Sequence, residues 1–208
     1  MGTRRLFIAV PVPPAVASLR IPSTEVSASA PAPTISDLIA TLSSFGPSLR
    51  TVSVEQLHLT LKFLGDVTDE LRPEILQTMS RIADCEAKFS IHFRGLGAFP
   101  NLGQPSLVWA GVRDAEPLVR IAETLSHGLA ALGFKPEPRR YRPHLTLARV
   151  KQRLADDRLK DLVTRLAEVE FARCDVTELT LMESQLTSSG PVYNILESVV
   201  LSRPDDGH

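Results

Sequence analysis

Leu57-His58-Leu59-Thr60-Leu61-Lys62-Phe63-Leu64-Gly65 and Arg142-Pro143-His144-Leu145-Thr146-Leu147-Ala148-Arg149 carry the same tetrapeptide, HLTL. Each copy sits in a short apolar run, so each predicts a strand. Alternate side chains of a strand share a face. His58, Thr60 and Lys62 are therefore expected on one face, with Leu59, Leu61 and Phe63 turned into a core. In the second copy His144, Thr146 and Ala148 share a face, and Leu145 and Leu147 are buried. A single such strand is explained by packing and by the β-propensity of threonine. Packing gives no reason to repeat the polar pair. Two such strands facing each other would put two imidazoles and two hydroxyls around one small cavity.

That set of groups suits phosphoester cleavage. A neutral imidazole can deprotonate a water or hydroxyl nucleophile, and a protonated one can donate to the leaving oxygen. The threonine hydroxyls can donate to non-bridging phosphate oxygens. Two groups needing opposite protonation states predict a bell-shaped pH dependence. Zinc is the competing chemistry, but two distant histidines lack the local spacing and the thiol or acidic partners of usual sites. No metal and no cofactor are expected. His92, His127 and His208 read as surface or structural.

Outward from the motifs, Arg5–Val10 predicts a buried first strand. Arg4-Arg5, the apolar run and Ala15-Val16-Ala17 imitate a secretory signal, but Pro11, Pro13 and Pro14 interrupt it. Residues 23–34, rich in Ser, Ala and Pro, predict a flexible insertion. Ile35–Phe45 has helical spacing and is stopped by Gly46-Pro47. Leu49–Val54 and Leu57–Leu64 read as strands, and Thr68–Ala83 as a helix. Phe89–Phe93 and Ser106–Val112 read as strands joined by a Gly/Pro/Asn-rich loop from Gly95. Ala115–Leu132 predicts a helix with a stripe of Leu118, Ile121, Ala122, Leu125, Leu129 and Leu132, capped by Gly133. His144–Val150 is a strand, Leu154–Val169 a helix, and Val176–Met182 and Val192–Leu201 are closing strands around a Ser188–Pro191 turn. Residues 203–208 predict a disordered tail. The mixture indicates α+β with mainly antiparallel sheet. The order strand, helix, HLTL strand recurs in each half and suggests a duplicated lobe.

The chain has 208 residues, 43% of them apolar and 23% charged, with a net charge of −1. That bounds it to a soluble single domain of two lobes, expected to be monomeric, without a membrane span and without an obligate protein partner. Cys85 and Cys174 form no CxxC pair, so a reducing, cytoplasmic setting is expected. The near-neutral total hides a local excess. From Lys135 to Arg153 there are seven cations (Lys135, Arg139, Arg140, Arg142, Arg149, Lys151 and Arg153) and one acid, Glu137. A basic segment beside His144 can steer phosphates.

The two motifs, with Arg5-Leu6-Phe7-Ile8-Ala9-Val10 before them and Glu183-Ser184 through Gly190-Pro191-Val192-Tyr193 after them, resemble the two-histidine (2H) phosphoesterase superfamily. Their flanks are similar to its RNA 2′,3′-cyclic phosphodiesterase branch, the LigT or 2′-5′ RNA ligase family. The resemblance implies a bilobal, pseudo-twofold fold, with antiparallel sheets lining a central groove and helices outside. It implies hydrolysis of RNA 2′,3′-cyclic phosphate ends to 2′-phosphates, with reversible 2′-5′ ligation as a related reaction. His58 would be the proton donor and His144 the proton acceptor, with Thr60 and Thr146 on the phosphate. Arg149 falls where the family carries a phosphate-binding arginine. Strict alternation puts it opposite His144, so it reaches the groove only if the strand bulges or ends there. Phe7 shares a face with the small Ala9, leaving room for a base to stack. Lys62 shares the His58 face. Alternatives are a phosphodiesterase acting on small cyclic nucleotides or 2′-5′ oligonucleotides, and a non-catalytic module that binds RNA ends.

Overall fold

The computed structural model describes residues 2–21, 31–152, 157–188 and 190–202. Most of the expected insertion (residues 23–30) and the expected tail (203–208) lie outside the described residues. Thr34, assigned to the insertion from sequence, is instead buried and caps a helix. Its hydroxyl accepts from the Asp37 amide at 3.1 Å, and the Asp37 carboxylate accepts from the Thr34 amide at 2.9 Å. This reciprocal capping box holds the Asp37 carboxyl below its ordinary pKa.

Among the described residues the strands form two antiparallel sheets. The first runs in the order β3 (His58–Thr68), β1 (Thr3–Pro11), β8 (Glu178–Thr187), β9 (Gly190–Val200). The second runs β2 (Leu49–Thr51), β6 (His144–Val150), β5 (Leu107–Arg113), β4 (Phe89–Phe99), β7 (Glu170–Val176). The fold is α+β, as expected. The lobes, however, are not successive halves of the chain. The C-terminal hairpin β8–β9 completes the first sheet by pairing Ile8 with Leu181, and β2 leaves the N-terminal half to pair with β6. Edge matching and burial decide these pairings, and a long separation along the chain adds little to their cost. The twofold relation lies between β3-β1-β8-β9 and β6-β5-β4-β7, each with an HLTL strand first.

Helices α2 (Ile35–Ser43), α3 (Arg72–Ala83), α4 (Glu116–Gly128) and α5 (Asp157–Arg165) pack on the sheets, after a short α1 (Pro14–Ser18). α4 buries Leu118, Ile121, Ala122 and Leu125 as its stripe demands. Each fully buried leucine or isoleucine contributes roughly 1.5–3 kcal/mol. Gly133 follows in the left-handed region at φ +89°, where its lack of a Cβ removes the steric penalty. Two sequence expectations fail here. The sequence reading gives residues 170–175 no element and starts a strand at Val176, whereas β7 covers Glu170–Val176, with Arg173 and Asp175 exposed between the buried Phe171, Cys174 and Val176. β4 continues to Phe99, through residues read as a loop. Gly97 there serves close packing: a Cβ would lie 2.1 Å from the Trp109 ring.

Candidate active site

Both HLTL strands start with the histidine and both interrupt their ladder after the threonine. Along β3, Thr60 pairs with Ala9 and Lys62 with Ile8, so Leu61 has no partner. Along β6, Thr146 pairs with Trp109 and Ala148 with Val108, so Leu147 has none. A one-residue bulge inverts the alternation beyond it. Before the bulge, His58, Thr60, His144 and Thr146 are half-buried, while Leu59, Leu61, Leu145 and Leu147 are in the core. Beyond it, Lys62 and Ala148 turn into the interior, and Phe63 and Arg149 turn out onto the histidine face.

Three expectations are corrected by this one device. Lys62 is neither on the His58 face nor solvated. It is 2% exposed, its Nζ donates to the Lys135 carbonyl at 2.6 Å, and it pairs with Glu137 at 3.1 Å. Phe63, expected in the core, is 63% exposed. Ala148 is buried rather than beside Thr146. Arg149 meets the condition set for it, since the strand does bulge. It is exposed, and its charge lowers the pKa of both His58 and His144.

Each imidazole is held alike. His58 Nδ1 lies 2.8 Å from the Gln56 carbonyl, and His144 Nδ1 lies 2.7 Å from the Arg142 carbonyl. A carbonyl only accepts, so Nδ1 carries the proton and Nε2 is left for a reactant. Burial is the largest cause lowering both pKa values. The carbonyl contact opposes it, and Arg149 adds to it. Burial and Arg149 thus favour the neutral imidazole. An aromatic ring flanks each histidine: Phe7 at 5.0 Å and Tyr193 at 4.8 Å from His58, and Phe99 at 5.1 Å from His144. Trp109 stacks behind Phe99 at 5.2 Å.

Phe7 lies on the histidine side but is 2% exposed, covered by His58, Phe63 and Tyr193. No face is open for a base, because the neighbouring rings take the room that Ala9 leaves; Phe7 backs His58 instead. Phe63, Tyr193, Phe99 and Trp109 were missed by sequence reasoning. Tyr193 comes from the far end of the chain, and only the bulge exposes Phe63. The hydroxyls of Thr60 and Thr146 make no hydrogen bond among the described residues. β3 and β6 contact each other between the sheets.

The other histidines stand apart. His92 pairs with Glu170 at 3.2 Å. His208 is outside the described residues. Among the described residues no three His, Cys, Asp or Glu side chains are grouped as metal ligands. No described helix is long and apolar enough to cross a membrane. A cleft between α2 and α5, lined by Phe45, Arg158 and Asp161 among others, includes no residue of either motif.

A family model described as the 2′-5′ RNA ligase superfamily matches residues 30–187, which include both HLTL strands. The chain belongs to this superfamily. An Aeropyrum pernix protein named RNA 2′,3′-cyclic phosphodiesterase is 37% identical over 74% of this chain and 87% of that protein. An Archaeoglobus fulgidus protein of the same name is 36% identical over 71% and 81%. Among solved structures, a Thermus thermophilus protein superposes with a TM-score of 0.73 at 29% identity, covering 97% of this chain and all of that one. The E. coli protein LigT, solved with 3′-AMP, shares the fold with a TM-score of 0.70 at 24% identity, covering 97% of this chain and 99% of that one.

Proposed function

We propose that this member of the superfamily hydrolyses RNA 2′,3′-cyclic phosphate ends to 2′-phosphates. The observation that carries the reading is the matched pair of imidazoles, each tied through Nδ1 to the carbonyl two residues before it, beside a threonine whose hydroxyl makes no hydrogen bond among the described residues. His144 Nε2 takes a proton from water as the water oxygen attacks phosphorus. The bond from phosphorus to the 3′-oxygen breaks, and protonated His58 gives its Nε2 proton to that oxygen. The product carries a 2′-phosphate and a 3′-hydroxyl, and His144 has gained the proton that His58 lost. Thr60, Thr146 and Arg149 donate to the non-bridging oxygens, where charge is held. The donor and acceptor labels follow the family resemblance, since the two histidines make equivalent contacts. In 2′-5′ ligation a 5′-hydroxyl takes the place of the water and the roles are unchanged; they exchange when the 3′-hydroxyl attacks the 2′-5′ linkage and the 5′-oxygen leaves.

A bound phosphate shifts both imidazoles toward the protonated form. Its negative charge raises both imidazole pKa values and so offsets burial and Arg149. The exposed Phe63 ring, rather than the covered Phe7, is where a base has room to stack. We assign RNA as the partner and a monomer as the working unit. The free thiols of Cys85 and Cys174 fit a reducing, cytoplasmic setting.

The test is incubation of the purified protein, in the presence of a chelator, with an RNA ending in a 2′,3′-cyclic phosphate, followed by identification of the end group. A 2′-phosphate is expected. His58→Gln and His144→Gln are each expected to lose about 10²–10⁴-fold in kcat. A 3′-phosphate product, or near-wild-type rates in either variant, would refute the assignment.

A further inference from the structure

Arg50 and Arg149 are directly paired across β2 and β6. Residues opposite each other in an antiparallel pair project to the same face, and like charges there repel. Arg149 is on the histidine face, so Arg50 is too. Neither guanidinium makes an ion pair or hydrogen bond with any described residue. An uncompensated pair of this kind is what a phosphate chain would neutralise.

The position of Arg50 is built by packing. Its guanidinium rests on Gly190 at the start of β9, where an added Cβ would fall 1.4 Å from Nη2. The hairpin tip of the first sheet therefore closes over a side chain rooted in the second. Only glycine leaves that space. Arg149 acts electrostatically on both imidazoles, whereas Arg50 is not among the causes of either shift. β6 carries both His144 and Arg149, and β2 is the next strand out, so Arg50 stands one strand farther from His144 than Arg149 does. A 2′,3′-cyclic phosphate is the 3′ terminus of its chain, so any further phosphate lies on its 5′ side.

We propose that Arg50 binds the phosphodiester immediately 5′ of the terminal nucleotide, and so makes the site prefer RNA ends over free cyclic mononucleotides. The proposal rests on the cyclic-phosphate reading of the histidine site. A guanidinium can hold such a phosphate by two parallel hydrogen bonds, which a lysine cannot reproduce.

The experiment measures kcat/KM on a nucleoside 2′,3′-cyclic monophosphate and on a dinucleotide ending in the same group. Wild type, Arg50→Gln and Arg50→Lys are each assayed on both. Because both substrates meet the same protein sample, partial misfolding cancels in their ratio. Wild type is expected to favour the dinucleotide, and Arg50→Gln to reduce that preference about tenfold or more, with Arg50→Lys between. A ratio unchanged in Arg50→Gln, whether both rates fall or neither does, overturns the proposal. If wild type hydrolyses neither substrate, the activity reading fails on its own. The affinities for a nucleoside 2′-monophosphate and a dinucleotide 2′-phosphate then decide the subsite by the same ratio.

Discussion

Phe63 and Arg149 stand at matching places on two different sheets, each the fifth residue after its motif histidine, and a bulge turns both onto the histidine face. The bulge leaves Leu61 and Leu147 unpaired. It thereby brings a ring to one side of the site and a cation to the other. On the histidine face the chemical symmetry of the two HLTL strands ends at that position.

Arg149 is expected to set the pH profile as well as the rate. Its charge lowers both histidine pKa values. In Arg149→Gln the kcat/KM bell, which reports the free enzyme, should move to higher pH while its height falls about 10–100-fold. A lower height with no alkaline movement would mean that Arg149 does not act on the imidazoles. In wild type the kcat bell should lie at higher pH than the kcat/KM bell, because bound phosphate raises both pKa values.

The same shifts govern stability. Both histidines have folded pKa values below the unfolded value of about 6.5. The unfolded chain therefore binds more protons at acid pH. Their contribution is present above about pH 6.5 and is lost as pH falls through the lower folded values. Urea titrations of wild type and His144→Gln should converge as the pH is lowered below that window. A constant difference between them would contradict the burial of His144.

Lys62 offers a test with opposite signs. Removing its acidic partner in Glu137→Ala leaves the buried ammonium with the Lys135 carbonyl alone, and should cost about 1–2 kcal/mol. Lys62→Met removes the buried charge while keeping the packed stem, and should be neutral or stabilising. Since Lys62 faces the interior, kcat/KM should change little in either. A solvated Lys62 would make both substitutions silent in denaturant titrations.

Gly97 should tolerate no side chain. A Cβ would meet the Trp109 ring at 2.1 Å, and Trp109 stacks on Phe99, which in turn touches His144. Gly97→Ala is expected to destabilise the protein by about 1–3 kcal/mol and to lower kcat/KM by displacing His144. Full stability and activity together would show that Trp109 is free to move.

Sequence alone determined whatever depends on local periodicity. The leucines of both motifs, the stripe of α4 and the strand at Arg5–Val10 were legible, because each periodic set has one apolar face to bury. The repeated His/Thr pair was legible as chemistry, because packing had no use for it. What only the tertiary structure decided was everything set by pairing between distant segments. β2 and the hairpin β8–β9 joined sheets away from their chain neighbours. The paired strands absorbed an extra residue directly after each motif threonine, Leu61 and Leu147, and that bulge reversed the faces of Lys62, Phe63, Ala148 and Arg149. Alternation is a property of a single strand, whereas a bulge belongs to a pair, so one strand's sequence does not contain it. The covering of Phe7 by Tyr193 and the seating of Arg50 on Gly190 have the same origin: residues far apart in the chain meet because two sheets share one core.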